Sequence, residues 1–388
     1  MWDNRREYQQ CTFCVMDTTD PEIQFDENGQ CNHCRAYLQR VQSLIYQGES
    51  SDKELQAIAE KIKIDGKNRP YDCVIGVSGG VDSSYTCYLA KKLGLRPLAV
   101  HMDNGWNSEE AVKNIKTICK RLDIDYVSYV LNWEEFKDIQ LAFLKASIVE
   151  MEIPTDVAIP YALHKVAAEY NVKYILSGGN LAGEAILPRT WFYYPKDSKL
   201  LKSIHRQFGT RKIKSYPTFD YLSEIYYKFV KGIRIIYPLN YIPYSKPDAM
   251  KSLQEELGWV KYGGVHHESM FTRLVLSYLQ PLKFNVDYRK CTLSAQICNK
   301  IISREEAIEK LKEPPYDAAT IEEEIAYVAK KFGLTLEEFK EILALPPKSY
   351  RDYPNNEKLL DFLYGTYRRF IASDRSYHTA GYDSSHNA

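Results

Sequence analysis

The segment from Cys73 to Ser84, CVIGVSGGVDSS, predicts a buried strand, a glycine turn and the first turn of a helix. The apolar run 74–77 is typical of a central parallel strand. The helix that opens at Asp82 is predicted to end at Gly94. Backbone N–H groups of a glycine turn and of a helix N-terminus bind phosphate anions. The segment therefore predicts a phosphate site beside a sheet.

This loop lacks the spacing and the lysine of the GxxxxGK[ST] nucleotide loop. It resembles the pyrophosphate loop of the N-type ATP pyrophosphatase (PP-loop) families, which cleave ATP between the α- and β-phosphates and adenylate a substrate oxygen. The resemblance implies ATP contacts from Ser78, Gly79, Gly80, Val81, Asp82, Ser83 and Ser84. Asp82 would also hold Mg²⁺. A turn that is glycine-rich by chance explains the two glycines, but not the full SGGxDS string after an apolar strand.

The length and composition of the chain exclude several classes of protein. The chain has 388 residues, which is enough for two or three domains. Its 51 basic and 51 acidic residues give no net charge, which argues against a general nucleic-acid or membrane-surface role. Residues 1–10 are polar and no long apolar run occurs, so we expect neither a secretory signal nor membrane insertion. Nine cysteines, an odd number, favour a reducing, cytoplasmic location.

Four of the cysteines have the spacing of a zinc site. Cys11, Cys14, Cys31 and Cys34 form two CxxC pairs separated by sixteen residues, with a predicted hairpin turn at 26–29. Four thiolates leave no position for water, so the Zn²⁺ is expected to be structural. Four free cysteines are disfavoured by the spacing. Acidic residues lie among these cysteines and would repel phosphate groups, which argues against a zinc ribbon that binds nucleic acid.

Strands and helices alternate after the first strand. Further strands are predicted at 96–102, 125–130, 173–176 and 233–237, which implies an α/β fold with a doubly wound parallel sheet. Three polar or glycine-rich turns, SGGVDSS, DNG and SGGN, would meet at the carboxyl edge of this sheet. We therefore expect Asp103 and Asn104 near the adenosine, and Gly179 and Asn180 near the α-phosphate or ribose. Glu184 is a candidate magnesium or substrate ligand, or an ordinary carboxylate in the first turn of a helix.

Residues 196–214 are the one basic concentration in the sequence. Leu200, Leu201, Ile204 and Phe208 have helical spacing, which favours a solvated amphipathic helix. A polyanion site and a mobile cover over the active site are the alternatives.

The C-terminal third carries two further motifs, GGVHHESMFTR at 263–273 and FNVDYRK at 284–290. With the CxxC pairs, SGGVDSS and SGGN, they resemble the N-acetyl sugar amidotransferases of bacterial surface-polysaccharide biosynthesis. The resemblance covers roughly residues 11–311. That family converts the acetamido group of a nucleotide-linked or related sugar into an acetamidino group. Its ammonia comes from a partner glutaminase–synthase pair resembling the one of histidine biosynthesis.

The resemblance implies a set of roles in this chain. The acetamido oxygen would attack the α-phosphate of ATP, and ammonia would then displace AMP. Asp82, His266, His267 and Glu268 are the catalytic candidates: one histidine accepts a proton from ammonia and Glu268 orients it. Lys261, Arg273, Arg289 and Lys290, with Glu184, are the substrate-binding candidates. No glutaminase segment is recognised, so ammonia is expected from a partner.

Two other functions stay open. A PP-loop tRNA-modifying enzyme such as a thiolase would need a basic surface and a working cysteine, for which Cys291 and Cys298 are the candidates. A zinc module that binds a nucleotide and scaffolds partners is the non-enzymatic alternative.

The domain boundaries follow from these motifs. We predict a zinc module at 1–40, a helical linker at 41–70 and the ATP-binding domain at 71–258. A substrate-binding and helical region is predicted at 259–372 and a disordered tail at 373–388.

Overall fold

Five parallel strands form the centre of the molecule. The computed structural model describes residues 6–262 and 268–371. The strands are β1 (Cys73–Gly76), β2 (Pro97–Asp103), β3 (Tyr126–Val130), β4 (Tyr174–Leu176) and β5 (Arg234–Ile236). Their order is β3-β2-β1-β4-β5, and Ile75 in β1 lies opposite Ala99 in β2 and Leu176 in β4. This confirms the predicted doubly wound parallel sheet, with β1 in its middle.

Helices occupy most of the remaining described chain. They are α1 (Asn32–Ala36), α2 (Glu49–Gly66), α3 (Val81–Lys92), α4 (Glu109–Leu122), α5 (Trp133–Ala146), α6 (Ile153–Glu169), α7 (Leu181–Glu184), α8 (Ser198–Phe208), α9 (Tyr221–Ile225), α10 (Lys246–Leu257), α11 (Met270–Leu274), α12 (Gln280–Phe284), α13 (Arg289–Cys298), α14 (Arg304–Lys312), α15 (Ile321–Phe332), α16 (Leu336–Leu343) and α17 (Glu357–Ile371). Short π-helical segments cover Tyr37–Val41, Tyr226–Val230 and Val275–Leu279. Short 3₁₀ turns cover Gln42–Leu44, Arg189–Trp191, Pro238–Tyr241 and Tyr350–Asp352. Among the residues described, no helix combines the length and the apolar character needed to cross a membrane.

The pleat of β1 sends alternate side chains to the two faces of the sheet. Cys73 and Ile75 pack in one buried cluster with α3, α4 and α10, whereas Val74 packs in another with α6. Both faces of the strand are therefore covered by helices, which explains why its sequence is a continuous apolar run.

Local sequence signals outside the sheet are matched by the structure. Ser303 and Thr335 begin α14 and α16, each with a capping box that pairs the cap with a glutamate three residues later. In the basic segment, α8 buries Leu200, Leu201 and Ile204, so the predicted amphipathic helix is confirmed.

A third buried cluster joins distant parts of the chain. The four zinc-site cysteines pack in the same cluster as Phe271 of α11, Cys291 of α13 and Phe339 of α16. The domain boundaries drawn from the sequence stay predictions. The core of the N-terminal module, however, is continuous with that of the C-terminal helices.

The four cysteines themselves form a compact, fully buried group. Their Sγ atoms are 3.7 Å apart between Cys11 and Cys34, and 3.5 Å apart both between Cys14 and Cys31 and between Cys31 and Cys34. A Zn–S bond of about 2.3 Å in a tetrahedron places sulfurs about 3.8 Å apart. The backbone N–H groups of Cys14 and Cys31 point to Cys11 Sγ at 3.3 and 3.2 Å. The donor set and its spacing therefore fit one tetrahedral metal ion with hydrogen-bonded thiolates.

His33, between the last two cysteines, is engaged elsewhere. Its Nε2 lies 2.7 Å from Asp20 Oδ2, and both side chains are buried. In the described chain, the four cysteines are the one group that brings three or more metal-ligating atoms within 4.8 Å of one another.

The cysteine module is docked by C-terminal side chains. Arg304 donates hydrogen bonds to the carbonyl oxygens of Cys11 and Cys14, at 2.9 and 3.1 Å. Lys290 Nζ lies 2.6 Å from Asp17 Oδ2, and Ser294 Oγ accepts from Val15 N at 3.2 Å. Loss of the metal would therefore disturb α13 and α14 as well as the module itself.

We expect one zinc ion per chain in protein purified without chelator. Cys31→Ser should lose the ion and lower the Tm by several degrees, because the metal holds a segment with little apolar core of its own. Cys119→Ser is the matched control, since Cys119 is buried in α4 away from the module. Elemental analysis and thermal melts make the measurement; full zinc content in Cys31→Ser would contradict the assignment.

Candidate functional site

The phosphate loop occupies residues 77–80, between β1 and α3. Gly79 has a φ of +86°, and a Cβ there would collide with the carbonyl oxygen of Ala111. Trp259 Nε1 donates to the Gly79 carbonyl at 2.9 Å, and Gly80 N donates to Ser78 Oγ at 3.3 Å. The loop thus packs against α4 and is stabilised by a hydrogen bond between two of its own residues. Its positive φ and the contact with α4 require glycine at position 79.

The SGGN turn after β4 lies directly against this loop. A Cβ on Gly178 would be 2.8 Å from Ser83 N. Asn180 accepts from Gly183 N at 2.8 Å to cap α7, and its Nδ2 lies 3.5 Å from Asp82 Oδ1. The structure therefore brings together two of the three turns that the sequence places at this edge.

The third turn, after β2, contributes differently. Asp103 Oδ1 accepts from Gly105 N at 2.9 Å and from Asn107 Nδ2 at 3.2 Å, so its side chain shapes the turn. Asn104 is buried, and it lines the cavity described below.

Asp82 is the centre of a polar group at the start of α3. It accepts a hydrogen bond from the Tyr244 hydroxyl, and its Oδ2 lies 3.1 Å from Lys246 Nζ. Burial by itself would lower the pKa of Lys246, but the charges of Asp82, Glu184 and Glu268 outweigh it, and the pKa is raised. Lys246 is therefore a fixed positive charge beside the phosphate loop.

Sequence reasoning missed Lys246. Its position in the sequence could have indicated a role. Lys246 is the first residue of α10, the helix that follows β5, and it therefore lies at the carboxyl edge of the sheet.

Two further carboxyl groups face this lysine. Burial, and next the charge of Asp82, raise the pKa of Glu184 to about 7, and Glu184 Oε2 accepts from Asn180 N at 3.3 Å. Glu268 lies over the loop, where its Oε1 would meet a Cβ placed on Gly80. Three carboxyl groups around one lysine are an excess of acidic groups, and carboxylate oxygens are ligands that Mg²⁺ prefers.

A short antiparallel contact holds Glu268 in position. Ser108 N donates to the Glu268 carbonyl at 2.8 Å, and Met270 N donates to the Trp106 carbonyl at 2.9 Å. Asn107 and Ser269 pair between these two bonds. The C-terminal region is thereby fixed to the loop that follows β2.

A cavity of about 410 Å³ opens between the sheet edge and the C-terminal region. From the sheet side it is lined by Ser78, Asn104, Ser177 and Gly178, among others. The C-terminal wall consists of Glu268, Ser269, Thr272, Leu276, Gln280 and Tyr288.

The cavity also has three acidic residues that sequence reasoning missed. Burial raises the pKa of Glu150 and of Glu152 to about 8, and that of Asp156 to about 7. The Asp156 side chain is accessible, although dense protein around it raises its pKa. Their signal in the sequence is the acidic string EMEIPTD, at 150–156, between two apolar helices.

Several predicted substrate residues lie in ion pairs outside this cavity. Arg273 pairs with Glu324 at 3.0 Å, Arg289 with Asp287 at 2.7 Å and Lys290 with Asp17 at 2.6 Å. None of the three lines the cavity, and neither does Lys261, which is exposed. Their substrate-binding roles stay predictions, and the cavity favours other residues. His266 and His267 lie outside the described residues.

Two family models match the chain. Residues 268–369 match the family described as LPS biosynthesis protein WbpG-like, C-terminal domain, and residues 54–150 match NAD synthase. The first match contains the C-terminal wall of the cavity, and the second contains the phosphate loop.

Curated relatives match short segments of the chain, and solved structures resemble it at low sequence identity. A tRNA(Ile)-lysidine synthase of Chlamydia pneumoniae is 39% identical over 70 residues, 18% of this chain and 22% of the relative. A 7-cyano-7-deazaguanine synthase of Campylobacter jejuni is 43% identical over 68 residues, 17% of this chain and 29% of the relative. An NH3-dependent NAD synthetase structure from Campylobacter jejuni is 17% identical, with a TM-score of 0.33, over 68% of this chain and 97% of that one.

The chain spans about a fifth to two-fifths of the length of the curated relatives it matches first. The two family models, the five-stranded parallel sheet and the loop geometry agree with one another. Residues 54–150 thus carry a PP-loop domain of the NAD synthase type, and residues 268–369 carry a WbpG-like C-terminal domain.

Proposed function

We propose that this protein is an ATP-dependent amidotransferase of surface-polysaccharide biosynthesis, which acts on the acetamido group of an N-acetyl sugar. The observation that carries the proposal is the shared cavity. Ser78 of the phosphate loop and six residues of the WbpG-like domain line one space of about 410 Å³. This shared lining supports a site at which ATP and a sugar substrate would be bound together.

The proposed reaction has two steps. The acetamido oxygen attacks the α-phosphorus of ATP, the bond to the β-phosphate breaks, and pyrophosphate leaves. Ammonia then adds to the carbon of the O-adenylyl imidate, a proton is lost, and AMP departs with the former acetamido oxygen. The product is an acetamidino sugar.

The protein contributes positioning and charge. The N–H groups of the loop and of the first turn of α3 bind the departing pyrophosphate. Lys246, fixed by Asp82 at 3.1 Å, balances the charge of the carboxylates around it. Asp82 and Glu184 would hold Mg²⁺, which when bound neutralises charge on the leaving group.

The ammonia source and the sugar are part of the proposal. The resemblance to the N-acetyl sugar amidotransferases supports a separate glutaminase–synthase partner that supplies ammonia in the cytoplasm. A nucleotide-linked N-acetyl sugar supplies the acetamido oxygen.

The burial of the two candidate cysteines argues against the thiolase alternative. Cys291 and Cys298 are buried, burial raises the pKa of both thiols, and neither lines the cavity. A buried, protonated thiol is a poor nucleophile.

We expect AMP and pyrophosphate as products when the protein is incubated with ATP, Mg²⁺, ammonium and UDP-N-acetyl sugars. The sugar product should be one mass unit lighter, because NH replaces O. Mass spectrometry and nucleotide chromatography make the measurement. ADP and phosphate as products would contradict the proposal.

Lys246→Met should lower kcat by roughly two orders of magnitude, since it removes a fixed charge beside the leaving group. Asp82→Asn should also lower kcat. Lys251→Met is the matched control, because Lys251 is exposed on the same helix. Steady-state assays with thermal melts distinguish the roles: a control variant as impaired as Lys246→Met would show that helix α10, not this charge, limits turnover.

A further inference from the structure

The cavity has a wall rich in carboxyl groups. Its described lining includes Glu150, Glu152, Asp156 and Glu268, and among those lining residues there is no lysine or arginine. Such a wall supplies hydrogen-bond acceptors and no cationic side chain. It is suited to a ligand that is rich in hydrogen-bond donors.

Several buried acceptors on this wall have no hydrogen-bond partner. Both carboxyl oxygens of Glu150 lack one, as do Oε1 of Glu152 and Oε1 of Gln280. Glu150 is 8% exposed and Gln280 5% exposed. Buried polar atoms are rarely left unpaired in native proteins, because each costs about 1–3 kcal/mol. Unpaired acceptors lining a cavity therefore indicate a ligand that supplies donors.

The acidic segment is held rigidly by the WbpG-like domain. Gln280 Nε2 donates to the Val149 carbonyl at 3.0 Å, and Thr272 Oγ1 donates to Glu152 Oε2 at 2.8 Å. On the other side, Lys348 N donates to the Ser147 carbonyl at 2.8 Å. Segment 147–152 is therefore fixed at three points, and the unpaired oxygens are part of a preorganised surface.

Ammonium fits this surface better than the other reactants do. It is a small cation with four N–H donors, and both oxygens of Glu150 are unpaired acceptors. A sugar hydroxyl donates one hydrogen bond, and the phosphates of ATP donate none at neutral pH. Ammonium must also lose a proton before it can act as a nucleophile.

We propose that Glu150 and Glu152, with Gln280, form an ammonium-binding site, and that Glu150 takes the proton that converts ammonium into ammonia. The inference rests on the proposed function. In this step an N–H bond of ammonium breaks, its electron pair stays on nitrogen, and the proton passes to a Glu150 oxygen. Ammonia then adds to the imidate carbon. The buried carboxyl, with a pKa near 8, is matched to this transfer at neutral pH.

The first test supplies ammonium chloride as the nitrogen donor in place of a partner. Glu150→Gln should raise the KM for ammonium roughly tenfold or more. Sugar-dependent exchange of pyrophosphate into ATP, which reports adenylation alone, should be unchanged. Hydroxylamine, which is uncharged at neutral pH, should react as the nitrogen donor with the same KM in the variant and in the unchanged protein. Glu341→Gln, at an exposed position on α16, is the matched control.

The outcomes separate this inference from the proposed function. No sugar-dependent exchange in the unchanged protein would reject the proposed function itself. Normal exchange with an unchanged KM for ammonium in Glu150→Gln would overturn the ammonium site alone. A raised KM for the sugar with an unchanged KM for ammonium would assign the carboxyls to sugar hydroxyls and would also overturn it.

A second test measures binding without turnover. A carboxyl whose pKa is raised on folding destabilises the folded state as the pH rises from its ordinary value toward the raised one. Glu150→Gln should therefore raise the Tm near pH 8.5 and change it little near pH 5. Ammonium chloride, compared with sodium chloride at equal ionic strength, should raise the Tm of the unchanged protein but not that of the variant. A variant that melts lower near pH 8.5 would show that Glu150 already has a partner within the protein, and would overturn the proposal.

Discussion

Negative charge is concentrated at the carboxyl edge of the sheet, and this imbalance is the constraint on which the rest of the structure depends. Asp82, Glu184 and Glu268 surround one lysine, and Glu150 and Glu152 lie in the adjoining cavity. Burial, and next the charge of Asp82, raise the pKa of Glu184 to about 7. Bound cations would stabilise such an edge. The site has a phosphate end, at the glycine loop, and an acidic end, at the segment that carries Glu150 and Glu152.

The two ends are built by different parts of the chain. The phosphate end is made locally, by β1, the glycine turn and α3. The acidic end needs the C-terminal domain, since Thr272 and Gln280 hold the segment that carries Glu150 and Glu152. Glu268 joins the two ends, because its backbone pairs with the loop after β2 while its carboxylate lies over Gly80. The phosphate loop and the C-terminal wall of the cavity are therefore coupled through a few hydrogen bonds.

The local parts of this arrangement could be predicted from the sequence, and the long-range parts could not. An apolar run followed by SGGVDSS specifies strand, turn and helix within a dozen residues, and CxxC pairs specify their own geometry. The ion pair of Lys290 could not be predicted, because its partner Asp17 is 273 residues away in the sequence. The partner of Arg289, Asp287, is only two residues away. Glu150 had only the acidic string at 150–156 as a signal, because its lack of a hydrogen-bond partner is visible only in the folded chain.

The docking of the cysteine module has a consequence for how the protein is made. Arg304 binds the carbonyl oxygens of Cys11 and Cys14, across 293 and 290 residues of sequence. During translation the module leaves the ribosome first, and the side chains that seat it leave nearly three hundred residues later. The nascent module therefore stays undocked until residue 304 has been synthesised. A polypeptide interrupted before that residue would leave this surface of the module uncovered.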